Sequence, residues 1–98
     1  MNENISASLN QWDADFDPYG FVERADWVEN AEKTEDLLQL TNVYGELVID
    51  VGFYTNVYKA YVVEHQNWEF PVESYETTDC STLNAVICAW MDKYANGK

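Results

Sequence analysis

Residues 47–64, LVIDVGFYTNVYKAYVVE, decide the fold class. Leu47, Ile49, Val51 and Phe53 alternate with Glu46, Val48, Asp50 and Gly52, and that period of two makes a strand with one apolar side. Thr55-Asn56 reads as a hairpin turn. Val57 to Glu64 follows with the β-branched and aromatic residues that suit a second strand. Gln66-Asn67 marks another turn, after which Trp68, Phe70 and Val72 are expected to face inward while Glu69 and Glu73 face out. Pro71 lacks the amide proton a ladder needs, so this third strand is expected at an edge or with a bulge. Connections this short join antiparallel neighbours, which gives a three-stranded meander.

Working outward, the C-terminal stretch returns to a helical period. Leu83, Ile87, Trp90 and Tyr94 form one stripe, flanked by Val86 and Met91, on a helix expected from about Ser81 to Tyr94. Asp79 or Ser81 caps its start, and Asn96-Gly97 marks its stop. Its far side (Asn84, Ala85, Cys88, Ala89, Asp92) is low in charge. On the N-terminal side, Ile5, Leu9, Trp12 and Phe16 fall at helical spacing and predict a helix from Asn4 to Asp15, ended by Pro18 and Gly20. Phe21, Ala25 and Val28 predict a second helix. Thr34 as an N-cap before Glu35 and Asp36 predicts a third, anchored by Leu37, Leu38 and Leu40. The expected fold is therefore α+β in a single domain, residues 1–98. N-terminal helices precede a three-stranded antiparallel β-meander, and a C-terminal helix packs on the sheet.

Composition narrows the function classes. The 98 residues are 47% hydrophobic and 15% aromatic, too apolar for a disordered acidic tail. Eighteen Asp and Glu stand against five Lys and Arg, a net charge of −13. Phosphate neutralisation and polybasic membrane binding are both excluded by that sign, so neither nucleic acid nor a membrane is an expected partner. No apolar run approaches the ~20 residues that span a bilayer, and no signal-peptide pattern opens the chain. Cys80 and Cys88 lie eight apart on one expected helix, about 12 Å of rise, beyond disulfide reach. Two free thiols point to a reducing, cytoplasmic compartment.

No catalytic residue, metal site or cofactor is expected. The chain has no phosphate loop, dinucleotide fingerprint or nucleophile elbow, and His65 is its only histidine. Asp13, Asp15 and Asp17 in DADFDPYG resemble the opening of a calcium loop, whose ligands alternate. Pro18 then occupies the position that needs glycine, Phe21 replaces a ligand, and Arg24 stands where a bidentate glutamate belongs. A calcium-binding module is thus the weakest of three readings.

The acidity itself carries the main one. Solubility of a small domain needs a net charge of only about 2 to 8, and the excess destabilises the compact state. Residues 1–36 hold ten acids and two bases, net −8, against net −5 in the rest. Asp13, Asp15, Asp17, Glu23, Asp26, Glu29, Glu32, Glu35 and Asp36 are the candidate partner-binding residues. Spacings of about 5 to 7 Å between such neighbours match successive phosphates of a nucleic-acid strand. Trp12, Phe16, Tyr19 and Trp27 are the candidate aromatic anchors.

In size, acidity and mixed pattern, including DADFDPYGFVERADWVENAEKTED, the chain resembles the small inhibitors of host defence carried by phages and mobile elements. These are the anti-CRISPR proteins and anti-restriction DNA mimics. The resemblance implies a noncatalytic protein that binds the basic nucleic-acid-binding surface of a CRISPR effector or nuclease in the bacterial cytoplasm. An immunity protein or antitoxin neutralising a basic nuclease toxin uses the same electrostatics and is the second reading. A −13 protomer opposes self-association, so a monomer is expected.

Overall fold

In a computed structural model, which describes residues 2, 5, 7–44 and 46–96, the chain forms a five-stranded antiparallel sheet with one α-helix. The strands are β1 (Trp12–Phe16), β2 (Leu38–Asn42), β3 (Leu47–Tyr54), β4 (Val57–Glu64) and β5 (Glu73–Thr77), and the helix is α1 (Cys80–Lys93). Each strand pairs with the next in chain order. The β3–β4 hairpin runs in unbroken register from Leu47 opposite Glu64 to Tyr54 opposite Val57. Thr55 and Asn56 close it with φ of 48° and 70°, the left-handed pair whose twist suits a two-residue hairpin.

The expected three-stranded meander and N-terminal helices are both corrected by this arrangement. Residues 12–16 are an edge strand preceded by a short 3-10 turn over Ala7–Gln11, and residues 38–42 are a strand beside it. Between them, the stretch read as a second helix consists of turns and one 3-10 turn, Val28–Asn30. The physical reason is a shared multiple. Trp12 and Phe16 are four apart, which satisfies a period of 3.6 and a period of two alike. Asp13 and Asp15 supply the alternation that only a strand uses. Leu38 and Leu40 likewise alternate with Gln39 and Thr41 and pair with Val51 and Ile49. The third strand is also displaced. Residues 65–70 form turns, Trp68 and Phe70 point to solvent, and the ladder resumes past Pro71 at Glu73. Asn4 and Gly97, which helped set the expected boundaries, lie outside the described residues.

α1 packs on one side of the sheet. Leu83, Ile87, Trp90, Met91 and Tyr94 meet Leu38, Leu40, Ile49, Val51, Ala60 and Val62 in one cluster with Phe21, Trp27 and Leu37. The Asp79 carboxylate caps α1, accepting from Ser81 N at 3.2 Å and from Thr82 Oγ1 at 2.6 Å. Polar pins fix the N-terminal third to the helix. Trp12 Nε1 donates to Met91 O at 3.0 Å, and Trp27 Nε1 and Asn2 Nδ2 both donate to the buried Asn84 Oδ1, at 3.1 and 2.8 Å. The helix side that looked low in charge is therefore mixed: Asn84 and Cys88 are buried, Ala85 and Ala89 exposed. Burial, with Asp92 nearby, pushes the Cys88 thiol up to about 12, so it is an inert packing group. Cys80 and Cys88 are both free.

Residues 34–37 run alongside β3, with Phe53 N donating to Thr34 O at 2.8 Å and Leu37 N to Val51 O at 2.9 Å. Between those bonds the Glu35 carbonyl rises over Gly52, where an added Cβ would meet it at 2.1 Å. Gly52→Ala is therefore expected to lower stability by about 1–3 kcal/mol, the usual cost of overpacking. The urea midpoint should fall at unchanged m-value.

Candidate functional site

Among the described residues no α-helix packs on the sheet side opposite α1, although Val63 on that side is buried. The positions on this side follow from the pairing register: Asp13, Thr41, Val48 and Val63 form one row, and Phe16, Gln39, Asp50, Tyr61 and Ser74 the next. A bulge between Ala14 and Phe16 in β1 brings Phe16 into that second row. Neighbouring strands stand about 4.8 Å apart and alternate residues about 6.6 Å apart, so the side chains form a grid at those spacings.

Acids collect at the β1–β3 side of this grid. Asp13 and Asp15 project from β1, and the Asp15 carboxylate accepts from the Thr41 hydroxyl. Asp36 and Asp50 line a cavity of about 130 Å³ with Phe16, Leu38 and Gln39. The Asp50 carboxyl titrates above its usual range because burial disfavours the charge and Asp36 repels it, a side-chain hydrogen bond with Gln39 only partly opposing them. The Tyr54 phenol, which donates to Glu35 O at 3.0 Å, is pushed up by burial and then by Asp50, Asp36 and Glu35. Among the described residues, Asp13, Asp15, Glu35, Asp36 and Asp50 form no ion pair. Of the described cations, Arg24 pairs with Asp26, Lys93 with Glu73, and Lys33 lies over the Phe53 ring, whereas Lys59, on the open side opposite Gly52, pairs with Glu76 and stands over the Tyr54 ring.

The nine acids read from the sequence do not form one array. Asp13, Asp15, Glu35 and Asp36 share the open side with Asp50, whereas Glu23, Asp26, Glu29 and Glu32 lie along the segment that packs Trp27 and Val28 against α1. Asp17 stands between the groups and is used structurally, accepting from Phe21 N at 2.7 Å and Val22 N at 3.2 Å to close the turn at Gly20. Arg24 holds Asp26 through Nε at 2.6 Å and keeps that carboxyl below its usual range. Asp15 and Asp17 are thus committed to different partners, and no group of three or more His, Cys, Asp or Glu among the described residues is placed to hold a metal ion. Of the expected anchors, Trp12 and Trp27 are core residues and Tyr19 is half-buried, leaving Phe16 on the surface. Asp50, Tyr54 and Tyr61 were missed as site residues. The alternation of β3 and β4 marks each as outward-facing, but only the register with β1 and β2 sets them beside Asp13, Asp15 and Asp36.

Compared with known proteins, the chain matches no family model, no curated protein and no solved structure. Among the described residues, fold and site define an α+β domain with one α-helix and an acid-rich sheet side opposite it.

Asp50 supplies a signed test. Its folded-state pKa lies above the unfolded value of 3.8. The proton it holds therefore contributes stability that is fully present below that value and is lost as pH rises through the folded pKa. Asp50→Asn is expected to melt higher than the parent chain near pH 7 and to lose that advantage near pH 3. Thermal melts monitored by circular dichroism across that range measure it.

Proposed function

We propose that this protein is a noncatalytic inhibitor that presents its open, acidic sheet side to the basic nucleic-acid-binding surface of a bacterial defence effector, in the manner of a nucleic-acid mimic. The observation that carries the reading is the set of five carboxylates, Asp13, Asp15, Glu35, Asp36 and Asp50, that lie on the sheet side opposite α1 and form no ion pair among the described residues. Asp36 and Asp50 repel one another, and Asp50 is held at a cost that an asparagine would remove. A basic partner turns that cost into complementarity, with fast association and strong salt dependence. Two free cysteines and the absence, among the described residues, of a helix long and apolar enough to cross a membrane support action in the bacterial cytoplasm.

The test reverses Asp13 and Asp15 to Lys and leaves Asp17 in place, because Asp17 closes a turn. Immobilised wild-type chain is expected to capture a basic nucleic-acid-binding protein from bacterial lysate at low salt and to release it at high salt. Duplex DNA or guide RNA should compete for that partner. The doubly reversed chain, folded by circular dichroism, should associate at least about tenfold more slowly with the same protein in surface plasmon resonance. Equal binding by the reversed chain, or indifference to both salt and nucleic acid, would sink the reading. A nuclease toxin as the captured protein would assign the same surface to immunity instead.

A further inference from the structure

Five large apolar side chains stand exposed among the described residues, and four of them lie on two loops at one end of the sheet. Val43 and Tyr44 belong to the β2–β3 turn; Trp68 and Phe70 belong to the β4–β5 loop, with 52% and 73% of their surface open. The loops are tied together, since His65 N donates to Glu46 O at 2.9 Å and the His65 ring pairs with the Glu46 carboxylate. None of the four joins the core cluster. Trp12, Trp27 and Trp90 are all buried, so Trp68 is the exception among the four tryptophans.

Single exposed apolar residues need no explanation, but a group gathered on two linked loops does. Aromatic side chains at the centre of a patch, with polar groups around them, are the usual anchors of protein interfaces. Here the rim is acidic, with Glu46, Glu64 and Glu69 beside His65. That sign chooses the occupant. A second copy would bring the same glutamates together at −13 per chain, and an anionic bilayer would repel them in the same way. A cavity of about 400 Å³, lined by Thr41, Glu46, Val48, His65 and Gln66, continues from this end toward Asp15, which Thr41 holds.

We propose that this loop end is a second docking surface, with Trp68 and Phe70 as its anchors, for a protein segment carrying apolar side chains flanked by Arg or Lys. The inference rests on the proposed function only for the sign of the partner's charge. It assigns residence time to the aromatic end and arrival rate to the acidic side.

The probe is a synthetic peptide with two Leu flanked by four Arg, compared with a version carrying Ser for Leu. Titrated into the whole chain, the Leu peptide is expected to shift the Trp68 emission to the blue, a signal absent from Trp68→Phe. The Trp68→Ala/Phe70→Ala chain, folded because both sites are exposed, should bind it about tenfold or more weakly by calorimetry. The Asp13→Lys/Asp15→Lys chain should bind it more slowly but keep the Trp68 shift. No Trp68 change at millimolar peptide overturns the proposal, as does equal binding of the Ser peptide, which would mean charge attraction alone. Concentration-dependent self-association abolished by Trp68→Ala/Phe70→Ala would make a second copy the occupant. Binding to phosphatidylcholine vesicles would make it a lipid surface, and either result overturns the proposal. If the charge reversal abolishes binding while the aromatic truncation does nothing, the acidic side stands and this surface falls. The opposite pattern keeps this surface and removes the other.

Discussion

One helix serves a sheet of five strands. α1 is 14 residues, about 21 Å of rod, enough to cover one side of the sheet and not both. Its position is fixed by more than apolar contact. Asn84 accepts from Trp27 and Asn2, Met91 O accepts from Trp12, and Asn42 donates to Tyr94 O at 2.9 Å. At the same C-terminal end Trp90, Lys93 and Tyr94 all donate to the Glu73 carboxylate of β5. These bonds hold both edges of the sheet to the same helix. The irregular segment between β1 and β2 then has only the flank of α1 against which to bury Phe21, Trp27 and Val28. No α-helix among the described residues remains to cover the other side.

That vacancy gives the charge its meaning. Acids scattered over a surface are solvation; acids gathered on one sheet side, beside Phe16, Tyr54 and Tyr61, form a directional field. Folding gains nothing from it. Asp50 titrates high because burial and then Asp36 oppose its charge, and the four described cations are tied to Asp26, Glu73, Glu76 and the Phe53 ring. A chain selected for stability alone would place Asn at position 50, or a lysine within reach of it. The aromatic loop end is a different kind of surface, short-ranged and insensitive to salt. In the proposed function the two together divide attraction from retention.

Some of this was legible in the residues alone. The alternation over 47–54, the turn at Thr55-Asn56, the strand that follows and the Asp79-capped C-terminal helix are local features, set by side-chain period, left-handed turn residues and a capping carboxylate. So are the excess of acid in the first third and the distance between the two thiols. Tertiary structure decided the rest. Trp12 and Phe16 at a spacing of four fit a helix and a strand equally. β3 resolves the ambiguity by offering β2 an unpaired edge, and β2 in turn offers one to β1. Trp68 and Phe70 carry an inward-facing pattern that the turns at His65 and Gln66, both at positive φ, rotate out of the ladder. The meeting of Asp36 with Asp50, fourteen positions apart, depends on strand register. Register is a property of two strands at once: each strand's own period says which side a residue faces, and only pairing says what stands beside it.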